Sequence, residues 1–214
     1  MPNSPIFEVL SETPEWIGIA KPSGQSIDAV KDFLKKAYPE QKFACVYQLE
    51  TAIAGPVLFA KTLEARNTLK NAYGSYQFSF TFEGWGVSEK TLSEPWDCDL
   101  SIAWDERKNH AFPSKKQGKK SLTHFEILSA THPFYRFIAK TTYLRTQQLQ
   151  IHTHFSHLDI LGDPLAPKTL PVANLQLILR SVSFPSPTLQ ELSIPLPASW
   201  NTLPQSFQPI VKHS

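Results

Sequence analysis

The side chains able to do chemistry gather at three places in this sequence. Glu50 closes the run Tyr47-Gln48-Leu49-Glu50. A carboxylate there can act as a nucleophile, or be no more than a solvated or hydrogen-bonded strand carboxylate. Residues 145–152, Arg-Thr-Gln-Gln-Leu-Gln-Ile-His, place a cation, three amides and an imidazole together. Lys115, Lys116, Lys119 and Lys120 end a loop-rich stretch, where such a cluster either tracks a phosphate backbone or simply solvates a loop. His152, His154 and His157 have no Cys, Asp or Glu at convincing ligand spacing, so no metal site is expected. Cys45 and Cys98 lie too far apart for a Cys-x-x-Cys pair and do not indicate a disulfide framework. Gly84-Trp85-Gly86 lacks the third glycine and the following helix of a dinucleotide loop. No Ser-His-Asp arrangement can be assembled from spacing.

These groups need elements to hold them. Short strands are expected at Ile6 to Leu10 and Trp16 to Ala20, followed by a Lys21-Pro22-Ser23-Gly24 turn. Ser26 is a good N-cap, and Ile27, Val30, Phe33, Leu34 and Ala37 recur at helical spacing until Pro39. Alternation from Phe43 to Glu50 predicts a strand carrying Glu50, and Val57 to Lys61 a second one. A helix over 62–73 should be stopped by Gly74. Tyr76, Phe78, Phe80 and Phe82 alternate with polar residues through Glu83, the mark of a half-buried strand. Residues 85–120 read as loops. Strands are predicted near 122–128, 134–142 and 175–184, with a helix over 146–158 whose one side carries Gln148, Ile151, His152 and Phe155. Strands outnumber helices and follow one another directly, which indicates an α+β fold with a mixed, mainly antiparallel sheet.

Composition sets limits. A chain of 214 residues, 41% hydrophobic and 19% charged, is expected to form one globular domain. With a net charge of only +2, any nucleic-acid contact must come from a local patch. No basic-then-apolar leader opens the sequence, and no run approaches the ~18 apolar residues of a membrane span. A cytoplasmic protein without membrane contact is expected.

The segment Tyr47-Gln48-Leu49-Glu50-Thr51-Ala52-Ile53-Ala54-Gly55, then Pro56-Val57-Leu58-Phe59-Ala60-Lys61, resembles the catalytic signature of the RluA-type pseudouridine synthases. That signature is His-Arg-Leu-Asp, two variable residues, Thr-Ser-Gly, an apolar run and Ala-Lys. Leu49, Gly55, the apolar run and Ala60-Lys61 match in register. Lys21-Pro22-x-Gly24 resembles the family's N-terminal turn, and Phe78 through Gly84 its Tyr-x-Ala motif. Asp105 to Lys108 and Thr123-His124-Phe125 resemble its middle section. Residues 145–152 fall where the family has Arg-Thr-His-Gln-Ile-Arg-Val-His, with Ile160 to Leu165 following at the family's spacing. The likeness spans about residues 6 to 197.

The resemblance implies the pseudouridine synthase catalytic fold: a bent, mainly antiparallel sheet with flanking helices and a central cleft, here as one domain over 1–214 without the S4 domain of some relatives. It implies structured RNA, rRNA or tRNA, as partner, with no DNA, a monomeric state, and conversion of uridine to pseudouridine without a cofactor. The family's Asp carboxylate, paired with an Arg and set above a Tyr, carries the reaction on a base taken out of its stack. In this sequence those positions are Glu50, Gln150 and Phe78. Glutamate moves the carboxylate by roughly 1.5 Å, and a displacement near 1 Å can cost ~100-fold in rate. Gln150 removes the ion-pair partner, so burial should raise the Glu50 pKa. Phe78 keeps a stacking surface and drops the hydroxyl. Gln48 replaces an Arg held to fill the space of the flipped base. Tyr47, Gln48, Arg145, Thr146, Gln148 and His152, with the four lysines, are the expected substrate-binding residues. Catalysis is expected to be absent or strongly reduced. A non-enzymatic RNA-binding or assembly protein and a protein-interaction scaffold are the alternatives.

Overall fold

The computed structural model describes residues 7–108, 110–164 and 174–201. The small sheet is built from β1 (Glu8–Glu12), β2 (Trp16–Lys21), β3 (Ala44–Cys45) and β4 (Gly55–Ala60), in the order β1-β2-β4-β3. The large sheet uses β5 (Ser79–Val87), β6 (Trp96–Cys98), β9 (Thr123–Thr131), β10 (Phe134–Thr141), β12 (Leu177–Pro185) and β13 (Leu189–Ser193), with β11 (Asp159–Ile160) beside β5. Its order is β13-β12-β5-β10-β9-β6. A separate hairpin pairs β7 (Ile102–Asp105) with β8 (His110–Pro113). Every pairing between named strands is antiparallel. The α+β architecture with mainly antiparallel sheets, expected from the run of strands, is the one observed.

Three α-helices occur among the described residues: α1 (Ile27–Ala37), α2 (Leu63–Gly74) and α3 (Gln148–Phe155). Ser26 caps α1 by accepting the Ala29 N–H, with Asp28 in the first turn and Lys35 and Lys36 in the last, and Ile27, Val30 and Leu34 are buried. Thr62 caps α2 in the same way through Ala65. None of these helices is long and apolar enough to cross a membrane.

The two sheets meet where the Glu50 segment enters β4. The Leu179 N–H donates to the Ala54 carbonyl at 2.8 Å, and Ala54 and Ile178 form a parallel bridge. Gly55 makes this approach possible, because a Cβ there would stand 2.5 Å from the Leu179 Cβ. Behind the junction lies an aromatic core in which Phe78 stacks on Phe80 and Phe184, and Phe184 meets the edge of Trp16.

Four expectations are corrected. The strand through Glu50 is only Ala44–Cys45, and residues 46–50 leave the ladder before a turn in which Ile53 donates to the Glu50 carbonyl. Tyr76 is outside β5, exposed and left-handed at φ 60°, so Tyr76 and not Gly74 makes the reversal after α2. The alternation of β5 stops at Glu83, because this strand is central and both of its faces are covered there. Glu83 is buried in an ion pair with Arg136, with Arg180 close by. Residues 85–120 hold the end of β5 and the strands β6, β7 and β8.

Candidate functional site

Glu50 is held between two elements far apart in sequence. One oxygen accepts the Gln147 backbone N–H at 2.8 Å and the other the Gln150 side-chain amide at 3.2 Å. Gln147 is the left-handed residue that opens α3 (φ 57°), and it has no side-chain cap. The carboxylate therefore sits at the helix N-terminus, where orphan N–H groups favour negative charge. Gln150 is buried, and its other amide atom, Oε1, finds no partner among the described residues.

The cation near Glu50 comes from β2. Lys21 is 1% exposed, and its ammonium donates to the carbonyls of Gln25 at 2.9 Å and of Pro22 and Thr51 at 3.3 Å each. Gly24 N–H and the Ser23 hydroxyl bond to the Thr51 and Ala52 carbonyls. The Lys21-Pro22-Ser23-Gly24 turn thus clamps the loop that carries Glu50. Burial pushes Lys21 down to about 8, opposed by the charge of Glu50. Burial raises Glu50, opposed by the Gln147 N–H, the Gln150 amide and Lys21. The raised Glu50 pKa agrees with the sequence reading. Gln150 supplies an amide and no charge, while Lys21 lies within electrostatic reach of the carboxylate.

Two pockets open beside this loop. The smaller, ≈ 290 Å³, is lined by Glu50, Ile53, Phe82 and Leu149 among others. The larger, ≈ 490 Å³, runs from α2 to the β7–β8 hairpin and is lined by Tyr73, Trp104 and Tyr143 with Lys70 and Lys119. Gln48, Leu144, Arg145 and Thr146 line both and form the wall between them.

The predicted site residues divide accordingly. Gln48, Arg145 and Thr146 stand on the shared wall, and Lys119 lines the larger pocket. Lys115, Lys116 and Lys120 are exposed and line neither pocket, though the Lys120 carbonyl accepts from the Arg145 guanidinium at 2.9 and 3.0 Å. Phe78 is 1% exposed, enclosed by Tyr47, Tyr73, Phe80 and Phe184. The ring that lines the Glu50 pocket is Phe82, further along the same strand face. Tyr47 is buried with its hydroxyl on the Pro56 carbonyl. Its ring still backs the larger pocket.

Gln148 and His152 are buried, and their polar atoms are engaged within the framework. The Gln148 amide donates to Thr123, Thr141 and Leu122, and its oxygen accepts the Arg145 N–H. His152, fully buried, bridges the Thr123 hydroxyl and the Leu100 carbonyl. Their polar atoms are spent on strand ends that a purely apolar helix could not satisfy. His154 pairs with Asp159 instead of facing the other histidines. Sequence reasoning missed Lys70, Phe82, Tyr143 and the electrostatic part of Lys21. Only Lys21 had a signal, as the buried end of a strand leading into the turn.

No family model matches the chain. Ribosomal large subunit pseudouridine synthase D of Yersinia pestis is 23% identical over 149 residues, which make up 69% of this chain and 45% of that protein. The chain thus spans about half the length of the curated relative it matches. Human RNA pseudouridylate synthase domain containing 1 superposes with TM-score 0.77 at 17% identity, over 92% of this chain and 86% of that one. Human RNA pseudouridylate synthase domain containing 4 gives 0.73 at 16% identity, over 90% of each. The chain therefore has the pseudouridine synthase fold. The sequence match and both structural neighbours are thus pseudouridine synthases or pseudouridylate synthase domains, to which this chain is similar.

Proposed function

We propose that this protein binds structured RNA, rRNA or tRNA, at the Glu50 cleft and that uridine isomerisation there is absent or strongly reduced. The observation that carries this is the setting of Glu50: both oxygens are engaged by neutral N–H donors, and burial favours the protonated acid. A nucleophilic or basic carboxylate must be ionised and placed within a fraction of an ångström of its target. Burial works against ionisation, and a longer side chain whose two oxygens are already held by Gln147 and Gln150 is not free to be placed on a target. Lys21 softens the electrostatic defect without aligning the group, because its ammonium is spent on three backbone carbonyls.

RNA capture has more support than chemistry. Arg145, Lys119 and Lys70 surround the larger pocket, whose lining contains no acidic residue among those described. The local patch that a net charge of +2 demands thus lies beside the cleft. As part of the same proposal, the protein is monomeric and cytoplasmic, with no DNA or membrane partner. The test is incubation of purified protein with rRNA and tRNA, followed by mass spectrometry for pseudouridine. Salt-dependent binding with little or no product is the expected result. Efficient product formation that disappears in Glu50→Ala would overturn the catalytic half of the proposal. Absence of binding at low salt would overturn the RNA half and leave a protein-interaction scaffold.

A further inference from the structure

The larger pocket has chemistry that the Glu50 site does not use. Its floor and sides present aromatic faces at several angles. Tyr143 stacks on Tyr73 with ring centres 4.4 Å apart and planes 12° from parallel. Trp104 projects from the β7–β8 hairpin and is 44% exposed. An indole left this open on a hairpin is not serving as a core anchor.

The cations are placed as well. The Arg145 guanidinium lies over the Tyr143 ring, 4.8 Å from its centre, while Nε and one terminal nitrogen donate to the Lys120 carbonyl. That bond pair and the ring beneath fix the guanidinium as a flat plate on the wall between the two pockets. Lys70 and Lys119 stand on opposite sides, from α2 and from the strand segment where Lys119 pairs with Ile102. The hairpin is itself tied to the support of the Glu50 loop. The Ala111 N–H donates to the side-chain oxygen of Gln147, whose own N–H holds Glu50.

We propose that this pocket is a second nucleobase subsite, taking an unstacked base next to the one directed at Glu50. The base stacks between Trp104 and the Arg145 guanidinium plate, whose far face lies on Tyr143, Gln48 faces the phosphate between the two nucleotides, and Lys70 and Lys119 meet the flanking phosphates. Stacking on aromatic faces is tolerant of base identity, so the subsite binds single-stranded RNA with little sequence preference. This inference rests on RNA entering the Glu50 cleft.

The test uses the whole chain and an eight-nucleotide oligouridylate. Trp104→Ala should weaken binding by between about fivefold and about a hundredfold, with Trp104→Phe retaining most of the affinity. Lys70→Ala combined with Lys119→Ala should flatten the dependence of log affinity on log salt by roughly 0.7 for each phosphate no longer neutralised. An oligonucleotide carrying one 5-iodouridine should photocrosslink to Trp104 or Tyr143, located by peptide mass spectrometry; this readout does not depend on any variant folding. Wild-type binding of the oligonucleotide with unchanged affinity in Trp104→Ala and no crosslink in this pocket would overturn the subsite and leave RNA binding at Glu50 intact. Failure of the wild-type chain to bind the oligonucleotide at low salt would overturn the subsite alone, and failure to bind rRNA or tRNA as well would remove both.

Discussion

Glu50 and Lys21 are each held against their ordinary ionisation by burial, and each partly restores the other's charge. Lys21→Met should therefore raise the Glu50 pKa further, since it removes an attractive charge and leaves the desolvation in place. Carboxyl-carbon NMR titration of both proteins measures this, and an unchanged Glu50 titration would show that Lys21 acts on the turn alone. The stability consequence has a definite sign. A carboxyl whose pKa is raised above 4.5 by folding binds its proton more tightly in the native than in the unfolded state. The fold then loses stability as pH rises from about 4.5 through the native pKa. Glu50→Gln, neutral throughout, should be at least as stable as wild type at pH 7, with the advantage vanishing below about pH 4.5. Thermal unfolding at about pH 4 and pH 7 checks both halves. A destabilised Glu50→Gln at pH 7 would mean that the two amide donors outweigh burial.

At the scale of elements, the junction of the two sheets decides whether the Glu50 loop reaches its pocket. Gly55→Ala would push a methyl against Leu179 Cβ and the Leu179 carbonyl, 2.5 and 2.8 Å from the added atom. Separation of β4 from β12 there should cost about 1–3 kcal/mol, measured by denaturant unfolding, and oligouridylate affinity should fall with it. A neutral Gly55→Ala would show the junction to be loose. The Ser26 cap and the strands β9 and β10 were legible in the sequence because their requirements are local. What was not legible depends on distant neighbours. The second half of β5 carries polar and small residues because Arg136, Arg180 and Gln176 come to it from other segments. The loop at 46–50 alternates like a strand but has a partner only as far as Cys45, apart from the single Val46 bond to Leu58. Gln148 and His152 matched a substrate-binding motif, yet their polar atoms serve β9, β10 and the segment before β7. Phe82 instead of Phe78 faces the pocket because only the three-dimensional path of β5 decides which ring of one buried face reaches the cleft.

Across the whole molecule, the backbone superposes on a human pseudouridylate synthase domain over 92% of its length at 17% identity, so the fold is shared where the side chains differ. Two things can then be tested apart: the side chains that the proposed family's reaction uses, and the scaffold that aims them. Glu50→Asp, Gln48→Arg and Gln150→Arg combined restore the first without touching the second, since Gln48 is exposed and Gln150 already contacts the carboxylate. Phe78→Tyr belongs elsewhere. It would bury a hydroxyl among Tyr47, Tyr73, Phe80 and Phe184 and, without a partner there, cost about 1–3 kcal/mol. The triple variant should yield measurable pseudouridine in RNA where wild type yields little, and adding Phe78→Tyr should lower the melting temperature more than it raises product. If the triple variant folds and binds oligouridylate as tightly as wild type yet forms no product, the path of β5 and the α3 N-terminus has drifted as well. In that case the preserved fold is a binding scaffold whose chemistry cannot be recovered at these three positions.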